Sequence, residues 1–240
     1  RVTPYLIRGR NDKRGELRLF YEAVKESKGD EMNTAKILSV VIPVYNERET
    51  VREIVEKVLN LDFVAEIIVV DDGSTDGTRE LLERTKFDER VKRFFHDRNL
   101  GKGAALRTGF GHVTGEIVAI QDADLEYDPN EFIEMIRPIR DGVADVVYGS
   151  RLSGGKPQRA HLFWHKVGNG FLTFLTDILY NTTLSDMETC YKMFRKEVIE
   201  TIRIQSDGFS VEPELTAKIC KNKRWRIYEL PISYYGRSYS

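Results

Sequence analysis

Three short polar clusters carry the chemistry that this chain could perform: Tyr45-Asn46-Glu47, Asp71-Asp72-Gly73-Ser74 and Gln121-Asp122-Ala123-Asp124. Each follows a run of aliphatic residues, so each stands where a buried strand would end. Carboxylates gathered from separate strand ends repel one another unless a cation joins them. A hard cation with oxygen ligands meets that need, and a diphosphate would complete its shell. Asp122 and Asp124 are two apart, so an extended backbone would point both the same way. Each cluster alone has a plainer explanation. Asp122-Ala123-Asp124 could be a capped turn before Pro129, and Asp71 to Gly77 a turn and helix cap, the usual work of Asp, Gly and Ser. Three such clusters at the ends of the first four strands call for a shared purpose.

The elements that must position them follow a regular pattern from residue 37 onward. Ile37 to Ile42 is a continuous apolar, β-branched run, the signature of a strand buried on both faces. Pro43 is expected to break it. Glu47 to Leu59 then carries Val51, Ile54, Val55, Val58 and Leu59 at helical spacing. The alternation repeats with strands at Ile67–Val70, Val91–Phe95, Ile117–Ile120 and Val143–Tyr148. Helices are expected from Asp76 (as N-cap) to Arg84, from Gly101 to His112 and from Asn130 to Ile139. Residues 150–160, with two glycines and a proline, are expected to form a mobile loop. An amphipathic helix at Leu162–Tyr180 follows it, then strands at Cys190–Phe194 and Trp225–Tyr228 flanking a helix at Glu212–Cys220. Alternating strands and helices predict an α/β fold: an open, mainly parallel sheet covered on both faces. Ligands of such sheets bind beyond the carboxyl ends of the strands, where the three clusters lie.

Composition narrows the class further. The chain has 240 residues, enough for one sizeable α/β domain. Its 37 Lys and Arg balance 38 Asp and Glu, giving a net charge of -1, so nothing calls for a nucleic-acid partner. Cys190 and Cys220 form no CxxC pair, which speaks against zinc and against a disulfide framework, and fits a reducing setting. No apolar run approaches the roughly 18 residues that cross a bilayer, and residues 1–4 open no signal-like apolar region. A soluble, cytoplasmic chain is expected, peripheral at most on the inner face of a membrane. Residues 1–35 are charged, with only scattered apolar positions, and are taken as an extension preceding a domain at 36–240.

The ordered set of motifs resembles family 2 glycosyltransferases of the GT-A (Rossmann-like) fold, and within them the polyprenyl-phosphate sugar transferases typified by dolichol-phosphate mannose synthase. The residues that carry the resemblance are Val41-Ile42-Pro43-Val44-Tyr45-Asn46-Glu47, Ile68 to Thr78, Asn99-Leu100-Gly101-Lys102-Gly103, Asp122-Ala123-Asp124-Leu125, Gly149-Ser150-Arg151, Asp186 to Lys192 and Pro231-Ile232-Ser233-Tyr234. They span about residues 37–240.

The resemblance implies a nucleotide-sugar donor and a bound Mg2+ or Mn2+. By it, Pro43, Tyr45 and Glu47 line the base and ribose pocket, and Asp71 or Asp72 accepts from the base or ribose. Asp122, with Ala123 beside it, contacts the donor, and Asp124 holds the metal. Asp122 and Glu126 are the further candidate ligands, Glu126 standing where some relatives carry Gln. Lys102, Arg151 and Arg237 supply cationic contacts to the donor phosphates. Relatives place a Lys several residues after the Arg237 position, so a truncated C-terminal segment is expected here. Asp186 is the candidate general base, reduced to positioning if the acceptor is a lipid phosphate, which is already ionised. Thr189-Cys190-Tyr191-Lys192 departs from the lipid-phosphate pattern, in which Gly and Phe or Arg follow the Thr or Ser.

The function implied is an inverting, metal-dependent transfer of a hexose to a polyprenyl-phosphate-type lipid, with the 151–160 loop closing over the site. The 162–180 helix, through Phe163, Trp164, Phe171 and Phe174, would either rest on a membrane or enter a core or dimer contact. His161 and His165 on that helix are candidates to touch the acceptor. The alternatives are a same-fold transferase with a hydroxyl acceptor, a sugar nucleotidyltransferase, and a non-catalytic nucleotide-sugar sensor.

Overall fold

The computed structural model describes residues 36–157, 159 and 163–236, without the side chain of residue 165. The charged extension at 1–35, His161, the His165 side chain and Arg237 lie outside the described residues.

Seven strands form one sheet in the order β3-β2-β1-β4-β6-β5-β7. They are β1 (Leu38–Val44), β2 (Val64–Asp71), β3 (Val91–Phe95), β4 (Ile117–Ile120), β5 (Val146–Ser150), β6 (Lys192–Arg195) and β7 (Ile227–Pro231). All neighbours pair parallel except β6, which runs antiparallel to both β4 and β5. The expected α/β architecture is therefore present, with one reversed strand in its middle.

Helices cover both faces. On one side α1 (Val51–Leu59) and α4 (Phe132–Arg140) pack Val51, Ile54, Val55, Val58, Phe132, Met135 and Ile136 onto Val40, Ile42, Ile67 and Val69. On the other, α3 (Lys102–Phe110), α6 (Lys196–Glu200) and α7 (Val211–Lys221) set Ala105, Leu106, Val198, Leu215 and Ile219 against Val41, Ile68, Val70 and Val118. Successive residues of β1 and β2 thus serve opposite cores, which is why both strands are apolar at nearly every position. The remaining helices are α2 (Thr78–Arg84) and α5 (Phe163–Tyr180).

Four of the differences from expectation have a local reason. β1 does not stop at Ile42 but runs through Pro43 to Val44. Val44 O accepts from Asp72 N on the β2 side, and Val41 O from Gln121 N on the β4 side. Pro43 therefore faces β4, which has already ended, and its missing N–H costs no ladder bond. β5 begins at Val146 rather than Val143, because Val143 N and Ala144 N both turn back onto Pro138 O and close α4. The cap of α2 is Gly77 at φ 96°, with Asp76 one step earlier accepting from Thr78 N at 3.0 Å. Past β4 the chain turns at Ala123-Asp124. The buried Gln121 amide donates to Asp122 O and Tyr127 O, and Leu125 adopts φ 64°, so the chain curls back at once.

Candidate active site at the strand ends

The sheet's C-terminal edge opens into a cleft of about 450 Å3, bordered by Pro43, Tyr45, Glu47, Asp72, Lys102, Asp122, Ala123, Asp124, Glu126 and Arg151. Those ten are residues singled out in the sequence. Three others fall elsewhere: Asp71 sits beneath the cleft, Asp186 is buried behind Arg151, and Arg237 is outside the described residues.

The paired aspartates at the end of β2 differ in what they hold. Asp72 is saturated: Oδ1 meets His96 Nδ1 at 2.6 Å and accepts from Leu100 N at 3.0 Å, while Oδ2 accepts from Gly101 N at 2.7 Å. His96 in turn reaches Thr108 Oγ1 at 2.9 Å. Asp71 Oδ2 accepts a long contact from Ser74 N, and its buried Oδ1 has no hydrogen-bond partner among the described residues. On the β1 end, Tyr45 is exposed at the rim and Glu47 accepts from Thr50 Oγ1 at 2.7 Å.

The glycines of Asn99-Leu100-Gly101-Lys102-Gly103 have a steric cause. A Cβ on Gly101, at φ 99°, would collide with Asp207 O, and one on Gly103 with Ser206 O. Only glycine lets the 206–208 segment approach so closely, which brings Gly208 and Phe209 to the cleft.

Lys102 opens α3 and extends its ammonium to Asp122 Oδ1 at 2.7 Å, with Glu212 Oε1 3.6 Å away. Burial works against that charge, but Asp122 and Glu212 overcome it and hold Lys102 firmly protonated. Cys190 borders the same corner, where burial pushes its thiol well above the ordinary range. Neither cysteine is in a disulfide.

Asp124 and Glu126 face the cleft from the turn after β4. Asp124 Oδ1 accepts from Glu126 N at 3.0 Å, and Tyr234 donates its hydroxyl to Glu126 Oε2 at 2.6 Å. Beneath them Tyr127, Tyr191 and Phe132 stack in sequence, with centroids 4.9 and 4.7 Å apart. That stack fixes the turn against the core.

Among the described residues no group of three or more His, Cys, Asp or Glu is placed to enclose a metal. The donor set that is present suits Mg2+ or Mn2+ bound in another way. Mg2+ commonly takes one or two carboxylates and completes its shell with substrate phosphate and water. Asp124 and Glu126, with Asp122 nearby, offer that set of hard oxygen donors.

Arg151 forms the opposite wall. Its Nε and terminal nitrogen grip the two Asp186 oxygens at 2.8 Å each, and its backbone N adds a third bond at 2.9 Å. Asn169 donates to Asp186 Oδ1 at 2.7 Å. Burial would push the Asp186 carboxyl up, but these donors, Arg151 foremost, bring it below its ordinary value. A second cavity of about 360 Å3 lies beyond Arg151 and Tyr234, lined also by Leu152, Lys166, Asn169, Leu172 and Glu188. Burial raises the Glu188 carboxyl, whose Oε1 has no hydrogen-bond partner among the described residues.

Several of these residues escaped the sequence reading. His96 directly follows β3 and is the polar end of that strand. Tyr234 closes the Pro231-Ile232-Ser233-Tyr234 motif, and the sequence alone gives it no partner. Asn169, Glu188 and Phe209 gave no local signal, because only the fold brings them to the site. The 150–160 loop is tied at its far end, Tyr234 N to Pro157 O and Arg159 N to Tyr234 O.

A family model, glycosyl transferase family 2, matches residues 39–203. Dolichol-phosphate mannosyltransferase from Pyrococcus furiosus is 29% identical over 82% of this chain, and undecaprenyl-phosphate 4-deoxy-4-formamido-L-arabinose transferase from Salmonella choleraesuis is 30% identical over 85%. The chain spans only 56% and 61% of the length of those two relatives. Glucosyl-3-phosphoglycerate synthase from Mycobacterium tuberculosis, solved in complex with Mg2+ and uridine-diphosphate, superposes with a TM-score of 0.68 at 19% identity. The match covers 88% of this chain and 76% of that one. At that identity the likeness shows a shared GT-A-like fold. On the matched residues and the strand-end cleft together, this chain belongs to glycosyl transferase family 2.

Proposed function

We propose that this chain transfers a hexose from a GDP- or UDP-sugar to a polyprenyl-phosphate-type lipid, with inversion and with Mg2+ or Mn2+ bound to the donor. The observation that carries the reading is a pair of adjoining cavities that share Arg151 and Tyr234 as a wall. The acidic turn and Arg151 face a single cleft, and the second cavity behind Arg151 is lined by residues of α5, a helix that exposes large apolar side chains.

In this reading the base and ribose lie between Tyr45, Glu47 and the Asp71–Asp72 pair. The diphosphate lies toward Asp122, Asp124 and Lys102. Bound at Asp124 and Glu126, the cation would act as a Lewis acid that offsets charge on the leaving diphosphate. Arg151 faces the point where donor and acceptor would meet, held there by Asp186. Because both Asp186 oxygens are engaged, its role here is to position Arg151 rather than to take a proton. A lipid phosphate suits that arrangement, being ionised already near neutral pH. Lys166, Asn169 and Arg151 offer it nitrogen donors in the second cavity. Phe163, Trp164, Phe171, Phe174, Ile178 and Leu179 on α5 are each more than half exposed, so they are not core. They suit contact with a membrane surface, where the acceptor's tail would remain. No helix among the described residues is long and apolar enough to cross a membrane.

Glu188 favours a second reading. A carboxyl with a raised pKa and an unengaged oxygen, facing the second cavity, is what a hydroxyl acceptor would need as its base. Calorimetric titration with GDP-mannose, UDP-glucose and UDP-N-acetylglucosamine, with Mn2+ and with chelator, tests the donor side. Metal-dependent binding of one donor is expected, and binding of none would overturn it. Transfer to a polyprenyl phosphate but not to the matching free alcohol is expected on the acceptor side, and the reverse would favour Glu188 as base.

A further inference from the structure

We infer that Glu212 is a positioning residue for the donor site, offering the Lys102 ammonium a second seat beside Asp122. The inference rests on the proposal that the cleft takes a cation-bound nucleoside diphosphate. Lys102 is the first residue of α3, where the positive end of the helix dipole disfavours a cation. It nevertheless sits there 10% exposed, and what holds it is a file of alternating charges. Asp122 lies 2.7 Å from Lys102, Lys102 is 3.6 Å from Glu212 Oε1, and Glu212 Oε2 is 2.6 Å from the wholly buried Lys192.

The two ends of Glu212 are not equivalent. Oε2 is committed to Lys192, whose ammonium also donates to Met187 O and Thr189 O and lies over the Tyr148 ring. Oε1 is buried, accepts no hydrogen bond among the described residues and faces Lys102. A buried carboxylate oxygen without a donor is costly, and it is satisfied once the ammonium moves toward it. The same movement frees Asp122, the carboxylate that Lys102 otherwise neutralises. A divalent cation entering beside Asp122 repels Lys102, and a carboxylate on its far side gives that charge somewhere to go without leaving it unpaired. The file carries no net charge, so the displacement moves one ammonium between two seats.

The test is calorimetric binding of UDP and GDP, with Mn2+ and with chelator, to four proteins: wild type, E212Q, K102M and the double variant. E212Q is expected to weaken Mn2+-dependent binding about tenfold while leaving metal-free binding unchanged. In the K102M background the same E212Q change is expected to matter less than about twofold, because there is no ammonium left to seat. Equal losses in both backgrounds would overturn the inference, since Glu212 would then act only as a distant charge. So would unchanged binding in E212Q. If E212Q does not fold, K192M/E212Q removes the lysine that it strands, and the same comparison is made there. A wild type that binds neither nucleotide with Mn2+ sinks the proposed function itself, and this inference with it.

Discussion

Arg151 closes on Asp186 through both carboxylate oxygens at 2.8 Å each, and Asp186 is wholly buried while the guanidinium reaches the cleft. A planar fork against a planar carboxylate fixes the guanidinium's direction as a single lysine contact would not. Tyr234 packs over the other side of the guanidinium, 5.5 Å from its ring centroid, so the group has little freedom to turn. In the proposed reaction Asp186 would act through Arg151. Asp186→Asn leaves a largely buried cation with half its partner, and should destabilise the chain by about 3–5 kcal/mol, read from urea unfolding. Arg151→Lys keeps the charge but loses the fork. It should lower turnover while leaving the affinity for nucleotide alone unchanged. Equal nucleotide affinity and equal turnover would show that the fork has no part in the reaction.

Asp124 gives the sharpest test of the acidic turn. Its carboxylate lies at the cleft and accepts from Glu126 N at 3.0 Å, a local bond worth about 1 kcal/mol. Asp124→Ala should leave the chain folded yet abolish Mn2+-dependent donor binding in calorimetry. A melting temperature near wild type with undiminished Mn2+ dependence would remove Asp124 from the metal's shell.

The turn also shows where sequence reasoning holds and where it stops. The order of strands and helices was legible because each element carries its own period: Val40, Val41 and Ile42 for a doubly covered strand, Val51, Ile54, Val55 and Val58 for a one-sided helix. The strand-end clusters were legible for the same reason, since a parallel sheet delivers its C-termini to one edge. What was not legible depends on contacts far apart in sequence. The sequence leaves open whether Asp122 and Asp124 lie in extended backbone or in a capped turn before Pro129; the buried Gln121, which accepts from Tyr191 Oη just before β6, sits where the chain turns. Nothing local in the sequence pairs Glu212 with Lys192; the fold sets them in one file with Lys102. Val143 carried a strand signal, yet Pro138 O claims its N–H for the end of α4.

The apolar face of α5 predicts lipid contact without a structural penalty. Phe163, Trp164, Phe171 and Phe174 are 58–76% exposed, so replacing them with Ser removes few packing contacts. Stability should change by no more than about 0.5 kcal/mol for each. Flotation with vesicles containing a polyprenyl phosphate should fall sharply for the fourfold variant. Undiminished flotation would assign membrane contact elsewhere, and loss of a dimer in sedimentation would assign the face to a second copy of the chain.

Glu66 supplies a pH dependence that can be separated from catalysis. It sits near the start of β2, 4% exposed, at the sheet end opposite the cleft. Ser39 Oγ, Thr114 N and Thr114 Oγ1 all donate to its Oε1, at 2.6, 2.6 and 2.9 Å, and Lys92 reaches Oε2 at 2.6 Å. Burial alone would raise this carboxyl, but Lys92, Ser39 and Thr114 outweigh it and hold the pKa at about 2, against an ordinary 4.5. A folded-state pKa below the unfolded one means that the unfolded chain binds more protons as the medium acidifies. The stabilisation is therefore complete above about pH 4.5 and is lost as pH falls toward 2. Its full size is of the order of 3 kcal/mol. Glu66→Gln should lower the urea midpoint at pH 7 and flatten its decline between pH 4.5 and 2, with metal-dependent donor binding at pH 7 unchanged. If the acid limb keeps its slope in the variant, another carboxylate carries it. Asp145, held below its ordinary value chiefly by Arg226, is then the next to replace.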